Sequence, residues 1–152
     1  MISLKKILVP TDFSACSDAA LRYARALCEA FDAELHLLHV VQDPYTQPWA
    51  AEAFPTPLGE MLEQWQQQAR DRLATLVPEQ ETSRSRMATV VGSPFYEIVR
   101  YAEEQRIDLI VIGTHGRGPI GHMLLGSVAE KVVRKSPCPV LTVRQPQHEF
   151  VS

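Results

Sequence analysis

Five short apolar runs constrain the fold of this 152-residue chain most: KILVP at 6–10, ELHLLHVV at 34–41, RMATVV at 86–91, DLIVI at 108–112 and PVLTV at 139–143. Each is nearly continuous in leucine and β-branched residues rather than alternating, the pattern of a strand covered on both faces. Segments of helical period lie between them. Ala20, Tyr23, Ala24, Leu27 and Phe31 recur at three- and four-residue steps behind Ser14, a capping residue type, which predicts a helix over roughly 14–31. Leu62, Trp65, Ala69, Leu73 and Leu76 form one stripe of a helix over 59–76, ended by Pro78 and read as core packing. Ser93 and Pro94 supply a cap and a first-turn proline for a third helix reaching about 106, and 127–135 makes a short fourth. Strands that alternate with helices pair in parallel through right-handed crossovers. The expectation is an α/β fold, an open, mostly parallel five-stranded doubly wound sheet with helices on both faces. One domain would span 1–144, leaving a frayed polar tail at 145–152.

With 45% hydrophobic residues, such a chain buries a full core without disulfides. Its 15 Lys and Arg against 18 Asp and Glu, a net charge of −3, give no positive field for a phosphate backbone, so nucleic acid is not expected as a partner. Cys16, Cys28 and Cys138 show no metal-ligand spacing and fit a reducing compartment. The first residues lack a signal-peptide core, and no apolar run approaches the roughly 18 residues of a membrane span, so a cytoplasmic location is expected. Pro44, Pro48, Pro55 and Pro57 forbid a regular element over 42–58, read as a surface excursion in which Trp49 meets either a ligand or a partner.

Open parallel sheets bind ligands outside the carboxyl ends of their strands, where strand order reverses. Thr11 and Asp12 follow the first strand, Gln42 and Asp43 the second, Gly92 and Ser93 the third. The fourth is followed by a loop holding Gly113, Gly116, Gly118 and Gly121, which ends at Gly126 and Ser127. Glycines let backbone amides approach an anion, and the helix opening at Ser127 offers its unpaired amides and positive dipole end to phosphate. Ser127 and Glu130 have the spacing of a capping box, so Ser127 is expected both to cap the helix and to donate to phosphate. No Walker sequence is present. Gly116, Gly118 and Gly121 do satisfy GxGxxG, but Pro119 interrupts the motif and no acid stands about 20 residues on, so a dinucleotide fingerprint fails its context. At the end of the first strand, Asp12 is either a cap competing with Ser14 or a ligand contact, and its place favours the ligand. His115 and His122 flank the loop without a carboxylate to complete a metal set and read as solvated. His36 and His39 face opposite sides of one strand. Arg117 is either the phosphate cation or a surface charge, and Cys16 reads as a buried thiol. Ser127, His115 and Asp12 can be named as a nucleophile, base and acid, but no nucleophile elbow accompanies them. No catalytic or metal-ligating residue is assigned.

Gly113, two residues, Gly116, nine residues, Gly126 and Ser127 together resemble the G-2x-G-9x-G-S/T signature of the ATP-binding branch of the universal stress protein family. The resemblance extends to KILVPTDFS, LLHV, GSPFYEIVRYAEE, DLIVIGTHGR and GSVAEKVVRKSPCPVLTV, leaving only about 43–86 uninformative. It implies ATP lying across the ends of strands one and four, with Mg²⁺ or Mn²⁺ shared by the phosphates. Pro10, Thr11 and Asp12 then lie on the nucleoside side, and the main chain of Val40 reads the adenine. Ile112, Gly113, His115, Gly116, Arg117, Gly126, Ser127 and Val128 line ribose and phosphates. Also implied are a homodimer through Pro139 to Val143 and a nucleotide-dependent regulatory role toward a protein client. The alternatives are a stress-linked interaction dimer with no nucleotide and an enzyme that hydrolyses ATP slowly. Because the adenine contact is mostly main chain, the sequence does not distinguish ATP from ADP, AMP or a cyclic nucleotide.

Overall fold

The computed structural model describes residues 1–44, 58–115, 125–145 and 151. Its strands are β1 (Lys6–Pro10), β2 (Glu34–Gln42), β3 (Ser85–Gly92), β4 (Leu109–Gly113) and β5 (Val140–Val143). The helices are α1 (Ala15–Phe31), α2 (Leu58–Leu76), α3 (Pro94–Glu104) and α4 (Ser127–Lys135), with a 3-10 turn at Glu79–Arg84 that the sequence did not announce. All pairings are parallel, in the order β3-β2-β1-β4-β5, so the sheet is parallel throughout rather than mostly so. It is open, with β3 and β5 at its edges.

The unalternating runs follow from cover on two sides. Ile7, Leu8 and Val9 of the central strand have no exposed surface. Ile7, Val9, Leu35, Leu37, Val111 and Val143 pack against Ala19, Ala20, Tyr23 and Ala24 of α1 and Leu73 of α2. Leu8, Leu38, Ile110 and Ile112 meet Ile98 and Ala102 of α3 and Ala129 and Val132 of α4 on the other face. Each fully buried leucine or isoleucine stabilises the fold by about 1.5–3 kcal/mol over leaving it in water. Of the segment expected to fray, Val151 is half-buried against the α1 side of the core.

Local signals place the helix starts. The Ser14 hydroxyl accepts from Ser17 N at 3.3 Å and caps α1, while Asp32 closes it in the left-handed region at φ 55°. Pro94 opens α3 as expected, although Ser93 makes no side-chain cap hydrogen bond. At the amino ends of the strands, Asp108 Oδ2 accepts from Lys5 N at 2.8 Å and Lys6 N at 2.9 Å, locking the start of β1 beside β4.

His36 is buried completely beneath α3. Its Nδ1 lies 2.8 Å from the Tyr101 hydroxyl and its Nε2 2.7 Å from Glu34 Oε1, which Arg86 Nε also approaches at 2.8 Å. The two contacts to Oε1 are short but off-line, so that oxygen and Nε2 gain no well-aligned hydrogen bond. Burial pushes the imidazole below its ordinary value, with Lys6 and Arg86 adding to the shift and Glu34 opposing it. Below about pH 6.5 the unfolded chain therefore takes up a proton that native His36 refuses, so this contribution to stability is present above that pH and is lost as pH falls through it. Denaturant unfolding from pH 7.5 to 5.5 should show the native chain losing stability more steeply than His36→Gln, by at most about 1.4 kcal/mol per pH unit. Parallel slopes would mean that His36 titrates alike in both states.

Candidate functional site

β1 lies between β2 and β4, so the crossover to β2 leaves on one side of it and β4 docks on the other. A crevice opens at this reversal, above the carboxyl ends of the three strands. Its first wall is the turn after β1. Thr11 N donates to Leu38 O at 2.8 Å, and Thr11 Oγ1 accepts from Phe13 N at 3.0 Å. Asp12 Oδ1 accepts from Ser14 N at 3.0 Å and stands 3.1 Å from Ser17 Oγ. These bonds hold Phe13 at φ 64°, a conformation that costs a bulky residue free energy and that its surroundings must impose. Its ring meets the His39 imidazole with centroids 4.6 Å apart, and the Arg72 guanidinium carbon lies 4.0 Å from the ring centre. His39 Nδ1 is in turn 2.8 Å from Thr11 O.

The opposite wall joins the end of β4 to the start of α4. Thr114 N donates to Val143 O at 2.9 Å, and Gly126 N donates to Thr114 O. A Cβ on Gly126 would lie 2.7 Å from that carbonyl oxygen. A Cβ on Gly113 would lie 2.9 Å from the Cys16 carbonyl carbon and oxygen, because β4 ends directly against the first turn of α1. The two glycines are therefore required by the approach of chain to chain as well as by any ligand. The capping expectation for Ser127 is corrected. Gly126, extended at φ −66° and ψ 157°, is the cap residue, and Ser127 is the first helical residue. Because the Gly126 carbonyl already accepts from Glu130 N, Ser127 lies inside the helix, while the Glu130 carboxylate reaches Arg134 at 2.9 Å instead of turning back. No side-chain hydrogen bond caps α4, so the exposed Ser127 hydroxyl stands beside unpaired amides.

Pro10, Thr11, Asp12, Val40, Ile112, Gly113, His115, Gly126, Ser127 and Val128 all line one cavity of about 730 Å³, within the range of small-molecule sites. Gly116, Arg117 and His122 lie outside the described residues, as do Gly118, Gly121, Trp49 and most of the proline-rich excursion. His115 is buried at the cavity edge rather than solvated. Cys16 is buried as expected, its Sγ 3.3 Å from Val143 O. The Thr114 hydroxyl is buried on the cavity wall with no hydrogen-bond partner among the described residues. Among those residues no three His, Cys, Asp or Glu side chains gather as a metal site, and no helix is long and apolar enough to cross a membrane.

The sequence profile that matches this chain, over residues 3–144, is that of the universal stress protein family. The chain belongs to that family. Universal stress protein MJ0531 of Methanocaldococcus jannaschii is 36% identical over 145 residues, covering 95% of this chain and 85% of its own. The solved structure of MJ0577, from the same organism, superposes with a TM-score of 0.80 at 34% identity, covering 97% of this chain and all of that one. A universal stress protein solved in complex with cAMP matches with a TM-score of 0.62 at 26% identity, covering 94% of this chain and 98% of that one.

Within this family member, sequence reasoning overlooked the α2 wall. Trp65, Gln68, Ala69 and Arg72 line the cavity, so the stripe read as core is divided between roles. Leu73 is fully buried, whereas Trp65 is half-buried and faces the site. The available signal was the step from 65 to 69 to 72, which sets Arg72 on the face of Trp65.

Proposed function

We propose that this universal stress protein binds ATP in the crevice and acts as a nucleotide-dependent regulatory protein. The observation that carries the reading is the exposed, non-capping Ser127 hydroxyl at the amino end of α4, facing the Asp12 turn across one cavity. The helix end and hydroxyl suit phosphate oxygens, and a carboxylate at the end of β1 suits ribose hydroxyls. Val40 offers main chain to the adenine edge, and Gly113, Gly116, Gly126 and Ser127 keep the spacing of the ATP-binding branch. The relative solved with cAMP supports an adenine nucleotide. A divalent ion would be held by the phosphates with Asp12 nearby. The reading is of binding rather than efficient turnover, in the cytoplasm, with a homodimer formed through β5. That strand is an open sheet edge, and Leu141 on it and Val133 of α4 are exposed.

Calorimetric titration of ATP, with and without Mg²⁺, into protein stripped of nucleotide by unfolding and refolding tests the reading. Micromolar affinity, about −8 kcal/mol, is the expected result. No heat and no thermal shift at millimolar ATP would leave the interaction dimer in its place. Trp65 supplies a second readout. In a Trp49→Phe background its fluorescence should change on titration with the same midpoint as the calorimetry, and an unchanged spectrum at saturation would place the ligand away from α2.

A further inference from the structure

We infer that Arg72 of α2 reads the phosphate charge of the nucleotide and makes the site prefer ATP over AMP; the inference rests on the nucleotide-binding reading above. Among the described residues lining the cavity, Asp12 is the one carboxylate and Arg72 the one lysine or arginine. The chain carries a net charge of −3, so a polyanion entering the crevice meets little long-range attraction and needs a local cation.

Arg72 is placed for that task. Arg25, Arg84, Arg86, Arg100 and Arg134 are each paired with a carboxylate, whereas no carboxylate pairs with Arg72 among the described residues. Its neighbour is the face of the Phe13 ring, 4.0 Å from the guanidinium carbon. An aromatic face orients a guanidinium without neutralising it and leaves its in-plane N–H groups free for the bidentate bonds that phosphate takes best. Phe13 lies in the turn that follows β1, the strand between β2 and β4, and it lines the same cavity as Val40 and Ser127. The left-handed backbone of Phe13 gives its strain a purpose here. It accompanies a ring that carries the Arg72 guanidinium on its face, in the cavity that Ser127 at the start of α4 also lines.

The test compares ATP, ADP and AMP binding by calorimetry in the full chain and in Arg72→Gln and Arg72→Lys, at low and high salt. Arg72→Gln should weaken ATP at least tenfold and AMP less than threefold, with ADP between, and the ATP loss should shrink as salt rises. Arg72→Lys should recover part of the ATP affinity. Equal losses for ATP and AMP, or unchanged ATP affinity, would overturn the role of Arg72 while leaving nucleotide binding intact. Failure of the unaltered chain to bind any of the three would remove the nucleotide reading and this inference with it. The melting temperature of Arg72→Gln without ligand, expected within a few degrees of the parent because the side chain is exposed, separates a lost contact from a lost fold.

Discussion

Gly126→Val should abolish ATP binding at millimolar ligand while leaving the far-ultraviolet dichroism of the sheet and helices intact. The residue ties together the β4 and α4 parts of one crevice wall, since its N–H donates to the Thr114 carbonyl and its own carbonyl accepts the first helical bond of α4 from Glu130 N. Any Cβ there would lie 2.7 Å from the Thr114 oxygen, and the obstacle is backbone, which cannot swing aside as a flexible side chain can. The start of α4 must therefore shift, carrying Ser127 and its free amides out of register with the end of β4. Sites that stabilise charge depend on placement within about 0.5 Å, and a loss from micromolar affinity to none at millimolar ligand is at least about a thousandfold. Core contacts of α4 through Ala129 and Val132 lie further along the helix and keep it folded. Affinity within threefold of the parent would show that the amino end of α4 does not hold the phosphates.

The second large effect concerns stability. Gly113→Val should lower unfolding free energy by about 3 kcal/mol, the upper part of the usual range for overpacking. In a chain of this size that corresponds to a fall in melting temperature of about 6–12 °C. The new Cβ would meet the Cys16 carbonyl carbon and oxygen at 2.9 Å and Cys16 Sγ at 3.0 Å, so relief requires α1 to move off the sheet. Ala19, Ala20 and Ala24 are buried there without exposed surface, which is why α1 sits close enough for the clash. Gly59 is the contrasting control. Nothing lies within 4 Å of a Cβ there, and the residue is helical, so Gly59→Ala should be neutral or stabilising by up to about 1 kcal/mol. Equal thermal shifts for the two variants would refute the close-approach account of Gly113.

The sheet was legible because double cover leaves a chemical trace. KILVP and DLIVI have no polar face to confuse the period, and their parallel pairing follows from the helices between them. The Glu79–Arg84 turn was not legible, since EQETSR carries neither period nor cap, and its shape depends on partners such as Arg25, which bonds Glu81 Oε2 at 2.8 Å from α1. At the site, residues following strands could be found from topology. For the α2 wall the step from 65 to 69 to 72 groups Trp65 with Arg72, but they share a helix with Leu73, and periodicity separates faces without saying which face meets a ligand. The misplaced cap at Ser127 has a similar cause. Ser-x-x-Glu marks the neighbourhood of a helix start, but Gly126 took the extended position one residue earlier, where a side chain would have struck Thr114.

The placement of β1 at the centre of the sheet bears on the order in which the chain is made. Lys6–Pro10 is synthesised well before its partner β4, which begins at Leu109, and before α4, which closes the crevice, at Ser127. During synthesis β1 can pair with β2 and β3 can join β2, but the other flank of β1 stays unsatisfied until more than a hundred residues have followed it. Long-range parallel pairing of this kind slows folding. It also means that the crevice is incomplete until α4 has been made, so a nucleotide bound as proposed would stabilise only chains that extend through Ser127.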